Sequence, residues 1–309
     1  MSWHRMYGLL IETEVPYGPD VEPDGEPDWR VRWAPGDVDL DVPPPGQLVV
    51  DRAVWPVYSD GDVFALWSER FGRFDLHVTE RMVSIALAKP QLELASLYMR
   101  GVIMSLALEL TGLSVLHANS MLVDDRAVAF IGQRGAGKTT VTTALHAAGL
   151  PLLADDVVPI ERLADGWTAR SGYTDLRLRP TASSMLELFA SDVRTSTSID
   201  GRTVLHLDPP SVLQAALGGI VVPAPSSEHA GPVRITSLTG REALVQLLGG
   251  FRVHNFLEPR LAARRLEVVS HLIGNVPIGR LEMPVRERWT HDDAQSVRHA
   301  VESWQRSVG

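Results

Sequence analysis

The run Gly132-Gln133-Arg134-Gly135-Ala136-Gly137-Lys138-Thr139-Thr140 constrains this chain more than any other stretch. It fits G-x-x-x-x-G-K-[ST], the pattern of a loop that cradles phosphate. Its flanks have the right character. Arg126 to Ile131 (RAVAFI) is short and apolar and reads as a buried strand. Thr139 to Ala148 (TTVTTALHAA) reads as a short helix, which Gly149 and Pro151 stop. Glycines let backbone N–H groups turn inward on a phosphate, and a helix N-terminus adds partial positive charge. In this pattern Lys138 reaches the β- and γ-phosphates and the Thr139 hydroxyl is offered to Mg²⁺. The nine residues Gly132 to Thr140 are therefore the expected nucleotide-binding set. The competing reading is a glycine-rich turn capping an ordinary helix.

Bulk properties narrow the class. The net charge of −9 over 309 residues argues against a nucleic-acid surface, which needs a basic face. There is no cysteine, so there is no disulfide framework, which suits a reducing cytosol. The N-terminus lacks the pattern of a secretory signal. The longest apolar run, Gly101 to Leu108, is too short to cross a bilayer. We expect a cytoplasmic protein with no nucleic-acid or membrane partner.

Two regions are expected, a β-rich part at 1–90 and a nucleotide-binding part at 91–309. Tyr7 to Val15 opens with strand character. Pro16 to Gly46 is rich in Pro, Gly and acids and reads as loop around one or two short edge strands. Short β-like runs from Leu48 to Ala88 suggest a small antiparallel sheet. Gln91 to Leu110 reads as one long helix. From Ser114 the run SVLHANSMLV is strand-like and reaches a turn at Asp124-Asp125. Leu152 to Ile160 reads as a single strand beside the one that feeds the loop. Leu176 to Arg179 alternates as a strand, with Thr181 capping a short helix through Phe189. Gln214 to Val222 and Val276 to Met283 are further strands, and Pro223 to Pro232 reads as loop. Helices are expected at Arg241–Leu248, Pro259–Ile273, with Glu258 near its start, and Asp292–Ser303.

Asp155 and Asp156 form the second strong feature. An acidic pair within an apolar run is costly unless a cation or donor compensates. One carboxylate can hold Mg²⁺ and the other can accept the proton of an attacking hydroxyl. Two acids at a strand end, one solvated and one capping a turn, is the alternative. His117 lies in an apolar run, where spacing alone favours a hydrogen-bonded core residue. Arg177 and Arg179 share one side of their strand and need an anion between them, either a phosphate or a protein acid. Ser191 to Thr203 is small and polar and reads as a mobile lid, with Arg194 and Arg202 near its ends.

The segment His117 to Val158 resembles the core of the HPr kinase/phosphorylase family. That family has a His-led strand, a hairpin, a phosphate loop, a short helix ending in Gly, and a strand ending in Ala-Asp-Asp. The whole chain also resembles shorter HPr-kinase-related proteins associated with peptide biosynthesis clusters. There YGLLIETE, an LHA segment, a DLRL-like strand and a VPIGRLEMP-like run recur in this order. The resemblance implies an α/β fold: a P-loop phosphoenolpyruvate-carboxykinase/HPr-kinase-like core with a small β-rich N-terminal region and C-terminal helices. It implies ATP and Mg²⁺ as cofactors and transfer of phosphate to a Ser/Thr hydroxyl of a peptide or protein. It makes His117, Lys138, Asp155 and Asp156 the expected catalytic residues, with Asp155 as base and Asp156, with Thr139, on the metal side. Where the bifunctional enzymes carry a Glu-x-x-Gly-x-Gly-type loop, this chain has Tyr173 to Pro180, in which only Asp175 matches that acid in charge. Asp175, Arg177, Arg179, Arg194 and Arg202 are the expected acceptor-side residues. A small-molecule hydroxyl kinase and a nucleotide-dependent scaffold are the alternatives, and homo-oligomerisation stays open.

Overall fold

The computed structural model describes residues 1–15, 20–34, 38–51, 55–88, 92–189, 193–229, 231–253 and 259–308. Gln91, Ser191 and Glu258, named above as helix or lid residues, lie outside these. The chain divides into two units, Met1–Leu113 with Val253–Arg264, and Ser114–Arg252 with Arg265–Gly309.

The first unit holds an eight-stranded sheet of β1 (Ser2–Met6), β2 (Leu9–Thr13), β3 (Trp29–Trp33), β4 (Gln47–Val50), β5 (Val57–Asp60), β6 (Val63–Ser68), β7 (Gly72–His77) and β8 (Met82–Leu87). Its order is β1-β2-β3-β8-β7-β6-β5-β4. Strand β3 lies inside the sheet, parallel to both β2 and β8, and is not an edge strand as expected. Two of its side chains explain this: Trp29 and Val31, spaced at the strand period, are fully buried. The expected long helix is broken into α1 (Leu92–Tyr98), a π turn over Met99–Ile103 and α2 (Met104–Leu110). The break centres on Gly101, at φ −100° and ψ −105°, a conformation glycine reaches cheaply.

The second unit is a mixed α/β layer structure. Its elements are β9 (Ser114–Leu116), β10 (Ala118–Val123), β11 (Arg126–Ile131), α3 (Lys138–Ala147), β12 (Leu152–Ala154), β13 (Val158–Leu163), β14 (Gly166–Arg170) and β15 (Asp175–Leu178). They continue with a 3₁₀ stretch (Pro180–Leu188), β16 (Thr195–Thr197), β17 (Thr203–His206), β18 (Gln214–Ser226), β19 (Arg234–Ser237) and α4 (Gly240–Gly249). Helix α5 (Pro259–Asn275), β20 (Ile278–Pro284) and α6 (His291–Val308) follow. Strands β11, β18 and β20 run parallel side by side.

Strand β11 is buried on both faces, which is why its sequence reads as a continuous apolar run. Ala127, Ala129 and Ile131 join a core cluster with Leu247 of α4 and Val269 and Leu272 of α5. Val128 and Phe130 join the opposite cluster with Val141 and Leu145 of α3 and Val297, Val301 and Trp304 of α6. The strand-like run from Ser114 is split at His117 into β9 and β10. Asp124 and Asp125, both at positive φ (47° and 62°), make the two-residue turn from β10 to β11. Strand β12 pairs with β10, not with β11, so one strand separates it from the strand feeding the loop. The first four residues of the run expected as loop, Pro223 to Ser226, continue β18 because they pair in register with Leu281 to Pro284 of β20.

Candidate functional site

The glycine loop joins the end of β11 to the start of α3. Gly132 sits at φ 144°, and a Cβ there would lie 2.9 Å from the Ala136 Cβ, so only glycine fits without a shift. Gly137, at φ 93°, is the N-cap of α3 and lets the chain enter the helix directly at Lys138. Gln133, Arg134 and Gly135 form the exposed crest, while Thr139 and Thr140 are half-buried in the first helical turn. The Lys138 side chain folds back along the loop, its Nζ donating to the Gly132 carbonyl at 2.6 Å. Below it, Asn119 Nδ2 donates to Thr142 Oγ1 at 2.9 Å, tying α3 to β10. Burial, with Arg252 and Arg179 nearby, lowers the Lys138 pKa, and the charges of Asp156 and Asp155 oppose the shift.

The acid pair lies between strands, not within one. The Val157 N–H donates to the Asp155 carbonyl at 2.7 Å around Asp156, which is held at φ 64°. This is a γ-turn of the strained positive-φ form. Non-glycine residues held in such regions cost about 1–3 kcal/mol and cluster at functional sites. The turn ends the run expected to be one strand, Leu152 to Ile160, and gives the two adjacent carboxylates different surroundings. The residue Asp155 is buried, and its backbone N–H donates to the Tyr173 carbonyl at 2.6 Å. The Asp156 side chain keeps 44% of its exposure. Its Oδ1 lies 3.0 Å from His117 Nδ1, and its Oδ2 lies 2.8 Å from Arg252 Nη2.

The acidities of the pair diverge accordingly. Burial, then the charge of Asp156, pushes the Asp155 carboxyl well above the usual carboxylate range, against the pull of Arg177 and Lys138. Burial also acts on Asp156, but Arg252, His117 and Lys138 together outweigh it and hold that carboxyl well below the range. Adjacent carboxylates driven apart in this way are the pattern of an acid–base pair with divided roles.

His117 stands in the break between β9 and β10, its N–H bonded to the Gly250 carbonyl at 2.7 Å. With Asp156 ionised, Nδ1 of His117 carries the proton that bonds to the carboxylate. Arg252 also approaches that nitrogen, at 3.3 Å. The sequence reading missed Arg252. It follows α4 far downstream in the chain and belongs to no motif, so spacing gave no signal for it.

The expected acceptor-side residues divide. Arg177 Nη2 pairs with Asp200 Oδ1 at 2.7 Å and Arg202 Nε with Asp200 Oδ2 at 3.1 Å. Charges of Arg179 and Arg134 also act on Arg202, so the loop crest and this arginine group share one neighbourhood. Arg194 does not join them, being 72% exposed and facing Asp208 at 3.6 Å. Asp175 bonds to His206, its Oδ1 lying 3.0 Å from Nδ1. The stretch expected as a mobile lid holds, over its described residues, β16 and the start of β17, joined through Asp200-Gly201, with β17 paired between β16 and β15. The Asp-Gly pair between extended runs is a hairpin signal, which the polar composition masked.

Among the described residues no three His, Cys, Asp or Glu side chains are grouped to enclose a metal. Mg²⁺ needs no such cage: it keeps waters and takes one or two carboxylates with substrate phosphate oxygens. The donor types of Thr139 and Asp156 fit that demand. No helix is long and apolar enough to cross a membrane among those residues.

No family model matches the chain, and the comparison with curated proteins found no match. Among solved structures it is similar to the Hpr(Ser) kinase/phosphatase from Coxiella burnetii, at 13% identity and a TM-score of 0.31, over 62% of this chain and 97% of that one. The likeness assigns no chemistry to this chain.

Proposed function

We propose that the chain is an ATP- and Mg²⁺-dependent kinase that transfers the γ-phosphoryl group to a Ser or Thr hydroxyl of a peptide or protein. One arrangement carries the reading: a strained turn puts two adjacent aspartates in unlike surroundings, Asp155 buried and Asp156 paired with His117 and Arg252, in the field of the glycine-loop lysine. The loop amides and Lys138 bind and orient the β- and γ-phosphates. Asp155, with its raised proton affinity, accepts the proton of the attacking hydroxyl. Asp156 stays ionised at neutral pH, and Arg252 and His117 fix its orientation. Bound Mg²⁺, held through Asp156 and the Thr139 hydroxyl, would neutralise charge that develops on the transferring phosphoryl group. Arg177, Arg179 and Arg202 offer a cationic wall for an acidic or C-terminal carboxylate group of the acceptor.

The test is incubation with γ-labelled ATP, Mg²⁺ and a peptide library, read by mass spectrometry. Phosphopeptides formed by the wild type and absent with Lys138→Ala and Asp155→Asn are expected. Phosphorylation of a sugar, nucleoside or free amino acid but of no peptide would replace the acceptor class, and binding without turnover would leave a scaffold.

A further inference from the structure

The outer face of the small sheet formed by β15, β17 and β16 carries a second chain of hydrogen bonds. Asp175 on β15 and His206 on β17 are direct cross-strand partners. His206 Nδ1 lies 3.0 Å from Asp175 Oδ1, and His206 Nε2 lies 2.8 Å from Ser196 Oγ on β16. The His206 Nδ1–H donates to the Asp175 carboxylate, so Nε2 is the bare acceptor and the serine hydroxyl donates into it. Nucleophile, base and orienting acid thus stand in hydrogen-bond sequence on three strands.

The face matters as much as the trio. Residues directly opposed in an antiparallel pair share a face of the sheet. Ser196 opposes Val204, and Val204 opposes Arg177. Ser196 therefore lies on the face of Arg177 and Asp175, and the charges of both residues reach the Asp155 carboxyl. The opposite face, with Leu176 and Leu205, is buried in the core. An activated hydroxyl is thus carried on the side of the sheet that neighbours the glycine-loop site.

We propose that Ser196 is itself a phosphoryl acceptor, with His206 as its general base and Asp175 as the residue that orients His206. This rests on the kinase reading above. The Ser196 oxygen attacks the γ-phosphorus of ATP, and the bond from that phosphorus to the β-phosphate oxygen breaks. ADP leaves with the electron pair, and the hydroxyl proton passes to His206 Nε2 and then to water.

The experiment is incubation of the full chain with γ-labelled ATP and Mg²⁺ alone, with ADP release followed in parallel and the labelled residue mapped by mass spectrometry. One phosphoryl group on Ser196 is expected. It is lost in Ser196→Ala and retained in Ser196→Thr. His206→Gln should slow labelling by about 10²-fold or more. Matching melting curves for these variants exclude a folding defect. Wild-type protein that releases ADP but leaves Ser196 unmodified overturns the inference and leaves the kinase reading standing. Capture of Ser196 by a fluorophosphonate probe without labelling by ATP also overturns it, in favour of acyl chemistry. Absence of both ATP binding and ADP release removes both readings.

Discussion

Neutralising the two adjacent aspartates one at a time should move stability in opposite directions. In Asp156→Asn the carboxylate that faces Arg252 at 2.8 Å and His117 at 3.0 Å disappears. Breaking a fully buried pair costs about 3–5 kcal/mol, and an exposed one about 0–1. At 44% exposure Asp156 lies between these limits, so a loss of about 1–3 kcal/mol follows. For a unit of this size that lowers Tm by about 3–10 °C. In Asp155→Asn a buried carboxyl with a like charge beside it is neutralised, so Tm should hold or rise. The pH dependence carries the sign. The raised folded pKa of Asp155 makes wild-type stability fall as pH climbs from about 4. The advantage of Asp155→Asn should therefore grow through that range and then level off. The depressed pKa of Asp156 gives stability that is full above about pH 4 and lost below it, so the Asp156→Asn penalty should fade in acid. Scanning fluorimetry from pH 3.5 to 8, without nucleotide or metal, measures both (about four to five units around the carboxylate range). Equal shifts of the same sign in the two variants would refute the division of roles.

Other outcomes follow from the same geometry. Lys138→Ala should weaken ATP binding in calorimetry and abolish transfer while far-UV circular dichroism is unchanged, because Nζ bonds back onto its own loop at the Gly132 carbonyl. Gly132→Ala should lose nucleotide affinity and about 1–3 kcal/mol of stability, since a Cβ meets Ala136 at a φ of 144°; unchanged affinity by calorimetry would mean that the loop does not hold phosphate. Arg177→Ala should raise KM for the peptide acceptor roughly tenfold or more while the Kd for ATP stays constant, as loss of one charge-assisted contact implies; steady-state kinetics with varied peptide separate the two.

How much of this was legible depended on the range of the interactions involved. The segment from β11 through α3 was legible because a strand buried on both faces, a glycine loop and a short helix are each local signals. The acid pair was visible by composition, but its turn was not: nothing in Leu-Leu-Ala-Asp-Asp-Val-Val announces an Asp at φ 64°. That conformation is imposed by the Tyr173, His117 and Arg252 contacts, which come from distant parts of the chain. Strand β3 was hidden inside a Pro- and acid-rich stretch whose few large apolar residues do the burying. The hairpin at β16 and β17 was hidden by three exposed hydroxyl residues on its outer strand, which say nothing of backbone pairing.

The place of β10 between β11 and β12 makes the sheet a gauge. Strands β11 and β12 both end at the site, and one strand's width on either side of β10 sets their axes about 9.5 Å apart. That spacing is fixed by backbone hydrogen-bond length and not by side-chain volume. The backbone ladder therefore sets the separation of the two strand ends that lead into the glycine loop and the acid pair, whatever side chains pack above and below the sheet. A chain built this way can exchange the side chains on both faces of the sheet and still hold these two strand ends at the same separation.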